Sequence, residues 1–453
     1  MDILKRNKRL ESSDRDFIWH PFTQMKEWIH DTPVIIEEGR DCFLRDINGR
    51  WYLDGVSSLW VNIHGHRKRE IDEAIQRQLG RISHSTLLGL GNAPSIELAE
   101  KLVDILPRGL NRIFYSDNGS TSVEIALKMA FQYWVHRGIK GKDTFLCLNN
   151  AYHGDTVGAV SVGGIDVFHE AFGPLLFKTF KAPSPYCYRC ELGLECPECG
   201  LGCLERLSEI LKEHAPEIAA VILEPMVQGA GGMIVFPPGY LKGARELARQ
   251  HDVLFIADEV AVGFGRTGRM FACEHEGVTP DFICLSKGIT GGYLPLAATV
   301  TTGEVFSAFL GEYEELKTFF HGHSYTGNPL ACAAAIASLE LFEKDKILDG
   351  VRKKERILMS RLEELEGLRC VGDTRGMGLV GAVELIKNRE TKAPYPLSNR
   401  IGYRVCLAAR EKGLLVRPLG DIIVIMPPLS ISTENLKRML EILKESIAEV
   451  TNS

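Results

Sequence analysis

Between residues 110 and 300, short apolar runs rich in β-branched residues alternate with amphipathic stretches whose apolar positions recur at helical spacing. That alternation predicts buried strands at 112–115, 144–148, 219–223, 253–257 and 282–285 joined by helices, hence an α/β fold with a mixed, mostly parallel sheet. Glycine or polar residues follow each run, so functional groups collect at the carboxyl ends of the strands, where open sheets bind ligands. The flanks differ in texture. Residues 33–54 read as short strands with a turn at Asn48-Gly49, and 372–385 and 414–426 also read as extended. Leu436, Leu440, Leu443, Ile447 and Val450 mark a final helix that Thr433 would cap. The expected organisation is a large domain at 66–335 and a smaller α+β domain built from both chain ends, 1–65 and 336–453.

Composition narrows the partners. Of 453 residues, 45% are hydrophobic and 25% charged, the balance of an ordinary folded chain. Fifty-three Lys+Arg against 59 Asp+Glu give a net charge of -6, so no basic field draws nucleic acid. No apolar run reaches the roughly 18 to 20 residues that cross a bilayer, so no membrane partner is expected. Lys5, Arg6, Lys8 and Arg9 are followed by Glu11-Ser12-Ser13-Asp14 where a secretory signal needs an apolar core, which predicts a cytoplasmic location. Small-molecule substrates remain.

Five of the 12 cysteines crowd into one segment: Cys187, Cys190, Cys196, Cys199 and Cys203. Paired spacing of this kind suits tetrahedral thiolate coordination, so Cys187, Cys190, Cys196 and Cys199 are candidate ligands of a structural zinc. Disulfides or free thiols are the alternatives.

Lys287 follows the apolar run 282–285 and precedes a glycine-rich turn. An ammonium at the mouth of a buried strand is partly desolvated, which favours the neutral amine and allows a Schiff base with an aldehyde; the plainer reading is a lysine that snorkels to solvent. Asp258 and Glu259 end the neighbouring run, and a carboxylate there needs a cationic partner. A protonated pyridine nitrogen would serve, as would Arg266 or Arg269. Gly119, Ser120 and Thr121 stand between the run 112–115 and a helix, in the arrangement that cradles a phosphate at a helix N-terminus. Tyr152 enters the same crevice with a face suited to stacking on a flat ring. Gly263-Phe264-Gly265-Arg266-Thr267-Gly268 matches GxGxxG, so a nicotinamide-dependent dehydrogenase is a rival reading, provided those glycines open a helix. Otherwise they form a tight loop whose Arg266 points at an anion. Arg417, inside an extended apolar stretch, demands a carboxylate, from the protein or from a substrate.

Taken in order, these residues resemble the class III pyridoxal-phosphate aminotransferases of fold type I. The motifs that carry the likeness include Trp19-His20-Pro21-Phe22-Thr23, Ile63-His64-Gly65, Tyr152-His153-Gly154-Asp155-Thr156, the segment from Glu224 to Gly232 and that from Gly263 to His275. Within the family the likeness is narrowest to the enzymes of biotin biosynthesis that aminate 8-amino-7-oxononanoate; another ω-aminotransferase is the nearest alternative. The resemblance implies pyridoxal phosphate bound covalently to Lys287, with Asp258 on the pyridine nitrogen, Gly119 and Ser120 on the phosphate and Tyr152 on the ring. It implies a substrate site shaped by Trp60, Tyr152, Asp155 and Arg266, with Arg417 binding a carboxylate. It also implies that Gly322, His323 and Ser324 reach the cofactor phosphate of a second subunit, so that the enzyme is a homodimer. Phe22, Leu59 and His323 depart from the pattern of adenosylmethionine-using members and look like the lysine-using variant, which leaves the amino donor open between the two.

Overall fold

Seven strands form the central sheet of the protein, a computed structural model, in the order Leu110–Ser116, Ala297–Thr302, Phe282–Leu285, Leu254–Asp258, Ile218–Leu223, Thr144–Leu148, Phe180–Ala182. All pairings are parallel except the two made by Ala297–Thr302, which runs antiparallel to both neighbours. The sheet is therefore mixed and mostly parallel. Successive side chains of a strand point to opposite faces, and both faces are buried. Val221, Leu223, Phe255, Ala257, Ile283 and Leu285 join one apolar cluster, while Ala220, Ile222, Leu254, Ile256, Phe282 and Cys284 join the other. This explains why the strands read as continuous apolar runs with no alternation.

The structure describes residues 3–451; residues 1–2 and 452–453 of the expected terminal segments lie outside the described residues. The two chain ends meet in one sheet, because Leu414–Leu415 pairs in parallel with Trp51–Asp54 beside Phe43–Asp46 and Ile36–Arg40. A second sheet orders Val371–Met377, Val380–Leu385, Ile422–Ile425 and Arg417–Leu419. The expected boundary at 335 falls inside the helix Pro329–Lys344, whose alanine-rich face packs on the core without a break. Among the described residues no helix is long and apolar enough to cross a membrane.

The cysteine segment is a surface loop between Phe180–Ala182 and the helix Gly202–His214. All five thiols line one small cavity of about 20 Å³, closed by Pro185, Leu201 and Pro237. Among the described residues, however, no three or more His, Cys, Asp or Glu side chains are grouped so as to hold a metal ion, and all the cysteines are free. The zinc expectation is corrected accordingly: two CxxC pairs converge on one cavity without presenting a ligand set. The loop acts instead as a bridge. Tyr186 and Arg189 both donate to Glu384 on the small-domain strand Val380–Leu385, and Lys392 donates to the Tyr188 carbonyl at 2.9 Å.

Burial, a hydrogen bond with Cys196 and the other nearby thiols push the Cys187 thiol up to about 12. At pH 8 it should hold roughly a thousandth of the thiolate of an unperturbed cysteine and alkylate correspondingly slowly. A timed iodoacetamide reaction followed by peptide mass spectrometry checks this; labelling of Cys187 at the rate of a free cysteine peptide would contradict it.

Candidate active site

Strand register sets the site. Asp258 pairs with Cys284, and Ala257 pairs with Leu223, so Asp258 lies next to Glu224 and Lys287 follows three residues beyond the Asp258 partner. These groups open into one cavity of about 640 Å³ lined also by Trp60, Gly119, Ser120, Tyr152, Asp155 and Thr156. The structure therefore brings together seven of the residues read from the sequence, Trp60, Gly119, Ser120, Tyr152, Asp155, Asp258 and Lys287.

Lys287 opens the short helical turn Lys287–Thr290 with φ +45, a left-handed backbone that is strained for lysine. Its ammonium nitrogen lies 5.0 Å from the centre of the Trp60 ring. Burial holds it below the usual lysine range, with Arg266 acting in the same sense and the Asp258 and Glu224 carboxylates opposing. Trp60 is itself left-handed, φ +63, and its buried indole nitrogen has no hydrogen-bond partner among the described residues.

Asp258 is buried, and its two oxygens are held separately. Oδ2 contacts His153 Nδ1 at 2.7 Å, and Oδ1 accepts from the Val260 N–H at 3.0 Å. His153 is fully buried, and its Nε2 finds no partner. Sequence reading gave His153 no role of its own; the signal for it was a polar ring directly after Tyr152, facing a buried carboxylate across the strand ends. Glu224, also missed as a site residue, shows the same sign as Asp258: a carboxylate just past a buried strand. It accepts from the Tyr152 N–H at 3.1 Å and the Gly229 N–H at 2.8 Å.

At the other end of the cavity Asn118 caps the helix Gly119–His136, accepting from the Thr121 N–H at 3.1 Å in a capping box. This leaves the first helical residues, Gly119 and Ser120, at the cavity wall with the positive end of the helix dipole. A Cβ at Gly119 would lie 2.6 Å from Val260 Cγ1, and one at Gly154, whose φ is +125, would lie 1.9 Å from Ser120 Oγ. The Asp155 N–H donates to Ser120 Oγ at 3.1 Å, and the Tyr152 hydroxyl donates to Asp155 at 2.7 Å. A phosphate-sized cradle, an aromatic face, a buried carboxylate and a desolvated lysine amine thus share one space, and this set fits pyridoxal phosphate.

Five residues lie elsewhere. Arg266 is only 1% exposed and faces protein oxygens, donating to the Pro427 carbonyl at 2.6 Å, the Leu379 carbonyl at 3.3 Å, Ser57 Oγ at 3.3 Å and the Asn62 carbonyl at 3.5 Å. The expectation of an anion at Arg266 is corrected: burial lowers its guanidinium to about 9, and its donors already tie the segments at Leu379 and Pro427 to the site. Gly322, His323 and Ser324 are absent from the wall of this chain's cavity; His323 Nδ1 pairs with Asp117 at 2.7 Å. Arg417 lies outside the wall as well, its guanidinium 5.8 Å from the Phe22 ring centre. The dinucleotide alternative also fails its own condition. Gly263 to Gly268 form consecutive turns, with Gly265 and Gly268 at φ +81 and +94, and open no α-helix.

Comparison with known proteins gives a consistent result. Residues 24–447 match the family model described as aminotransferase class-III. A Geobacter sulfurreducens protein named adenosylmethionine-8-amino-7-oxononanoate aminotransferase is 56% identical over 443 residues, 98% of each chain. A Methanocaldococcus jannaschii protein of the same name is 49% identical over 97% of this chain and 98% of its own. The crystal structure of the Methanocaldococcus jannaschii aminotransferase superposes with a TM-score of 0.94 at 48% identity, over 98% of this chain and 99% of that one. A pyridoxal-phosphate-bound amine transaminase from an uncultivated Pseudomonas species gives 0.91 at 36% identity, over 96% and 98%.

Burial raises the Glu224 carboxyl from 4.5 to about 7. Below pH 4.5 it is protonated in both folded and unfolded chains; as pH climbs toward 7 the unfolded chain ionises first, and the stability associated with the proton is lost. The Glu224→Gln apoprotein should therefore gain on wild type between pH 5 and pH 8, by about 1–3 kcal/mol. Thermal melts of the two across that range check it, and a constant gap would show that Glu224 titrates normally.

Proposed function

The chain belongs to the class III aminotransferase family, and from that premise we propose that it transfers an amino group to 8-amino-7-oxononanoate, forming 7,8-diaminononanoate for biotin synthesis, as a cytoplasmic homodimer. The observation that carries the aminotransferase chemistry is the convergence of Lys287, the Asp258–His153 pair and the Gly119–Ser120 cradle on one cavity. The acceptor rests on the relatives' shared name over nearly their whole length.

Pyridoxal phosphate, when bound, supplies an aldehyde that captures amines and a ring that draws electrons from the reacting carbon. Lys287 Nζ, its affinity for a proton lowered by burial, would hold the cofactor and, once displaced by the donor, take the proton from the donor carbon and return it one position along. Asp258, fixed by His153, would keep the pyridine nitrogen protonated. Gly119 and Ser120 would hold the phosphate, and Tyr152 would cover the ring and touch substrate. Trp60 and Asp155 would wall the substrate space. The Arg417 guanidinium makes no hydrogen bond or ion pair among the described residues, which suits a fork that awaits a substrate carboxylate.

Gly322, His323 and Ser324 would complete the phosphate site of a second subunit. Support for that assembly comes from large apolar side chains left bare on one subunit: Leu88 at 89%, Phe320 at 74% and Tyr325 at 64% exposure. Two donors are compatible with the site. The relatives' names point to S-adenosylmethionine, while Phe22, Leu59 and His323 favour lysine.

The absorption spectrum of the loaded enzyme tests this reading. A visible band that bleaches with lysine or with S-adenosylmethionine, but not both, establishes the cofactor and identifies the donor. The Lys287→Ala protein should lack the band altogether. Replacing Arg417 by Ala should raise KM for the carboxylate-bearing acceptor about tenfold or more, the usual cost of losing a charged hydrogen-bonding partner. An unaltered KM would remove Arg417 from the site.

A further inference from the structure

Beyond the cavity, three aromatic rings lead from the chemistry toward Arg417. The Tyr152 ring, at the cavity wall, lies 6.3 Å edge-on from Phe168; Phe168 lies 5.2 Å edge-on from Phe22; and the Arg417 guanidinium sits 5.8 Å over Phe22. Arg417 also acts on the Tyr152 hydroxyl electrostatically, so the charge is felt at the near end of the line as well. Phe168 is the middle ring. It is half-buried, on the short helix Asp166–His169. Its neighbour His169 fixes that helix against the fold: the imidazole is buried, and a Cβ at Gly163 would come within 2.3 Å of it. Phe168 is thus held in place by its backbone and by the edge-on His169 ring at 6.4 Å, while its ring also meets the Tyr152 and Phe22 rings.

An apolar track that ends in an unpaired guanidinium selects a ligand of definite chemistry: a methylene chain that ends in a carboxylate. We propose that Phe168 is a specificity-determining residue, the surface on which the methylene chain of the long-chain acceptor lies between its reacting end at Lys287 and its carboxylate at Arg417. This rests on the aminotransferase reading and adds a chain-length preference to it.

The test uses the pyridoxal-phosphate-loaded enzyme titrated with straight-chain monocarboxylates of four to nine carbons, binding being read from the perturbation of the cofactor absorption. In the wild type, affinity should rise about fourfold per added methylene group, the gain expected for each buried CH₂. Phe168→Ala should flatten that series and weaken nonanoate at least tenfold, with butyrate affected less than threefold; Phe168→Leu, which keeps an apolar surface, should restore part of the slope. In steady-state assays Phe168→Ala should raise KM for 8-amino-7-oxononanoate more than it lowers kcat. Equal weakening at every chain length, or an unchanged slope, would overturn the proposal. A wild-type enzyme that shows the slope, with the slope lost in Phe168→Ala, but does not aminate 8-amino-7-oxononanoate would support the chain-binding track and refute the acceptor assignment instead.

Discussion

The hydrogen bond between His153 and Asp258 is the contact on which the site depends. A carboxylate buried at the end of an apolar strand is costly unless its oxygens are engaged. Here one oxygen takes a backbone N–H and the other takes an imidazole, and the carboxylate is held in a single orientation at the cavity wall. The register of three parallel strands then determines its surroundings. With Ala257 opposite Leu223, the next residue along each strand is a carboxylate, Asp258 and Glu224; with Asp258 opposite Cys284, the amine of Lys287 emerges close by. A one-residue slip of any of these strands would turn the functional side chain onto the opposite face of the sheet. The apolar packing on both faces therefore guards the chemistry as well as the fold.

The segments around residues 371–427 are tied to this centre by buried cations that have been given protein acceptors. Arg266 binds carbonyls from the segments at Leu379 and Pro427 together with groups at Ser57 and Asn62, just before and just after Trp60. Arg375 reaches the Gly232 carbonyl at 2.7 Å while pairing with Glu384 at 2.9 Å, and the cysteine loop adds Tyr186 and Arg189 to the same carboxylate. Each cation has several hydrogen-bonded partners, the condition under which a burial this deep is tolerated. The wall that carries Trp60 and the loop from Glu224 to Gly232 are thereby held by contacts distant in sequence.

Much of this was legible before any coordinates. The run 282–285 coincides with Phe282–Leu285 and the run 144–148 with Thr144–Leu148, because a strand buried on both faces leaves an unbroken apolar signature that ends where the polar site begins. Phe180–Ala182 was not read, since three residues carry too little pattern, and Ala297–Thr302 is rich in alanine and threonine, which mark no period. Lys287, Asp258 and Tyr152 were legible from position alone, each following a strand. Arg266 was misread for a physical reason: a glycine-flanked arginine after a strand looks the same whether its partner is a ligand or a set of carbonyls 113 to 204 residues away in sequence. The cysteines failed similarly. Spacing brings thiols near one another, but the turns between them decide whether they present a ligand set, and those turns are fixed by packing against Pro237 and the small domain.

The division of labour within the site follows from the same physics. Groups that must keep fixed positions relative to one another, Lys287, Asp258, His153 and Glu224, sit at the ends of central strands or just beyond them, where hydrogen bonds and two packed faces leave little freedom. The groups proposed to meet the variable part of a substrate sit on short, partly exposed pieces: Phe22 on an irregular segment with φ +50, Phe168 on a four-residue helix and Arg417 on a three-residue strand. A substitution on those pieces changes what fits without disturbing strand register, and one at the strand ends alters register or charge balance at the reacting centre. Transaminases at 30–36% identity superpose on this chain at TM-scores of 0.91–0.94, so the strand framework persists through wide sequence change, and short segments that contribute little to the core are where substitution disturbs it least.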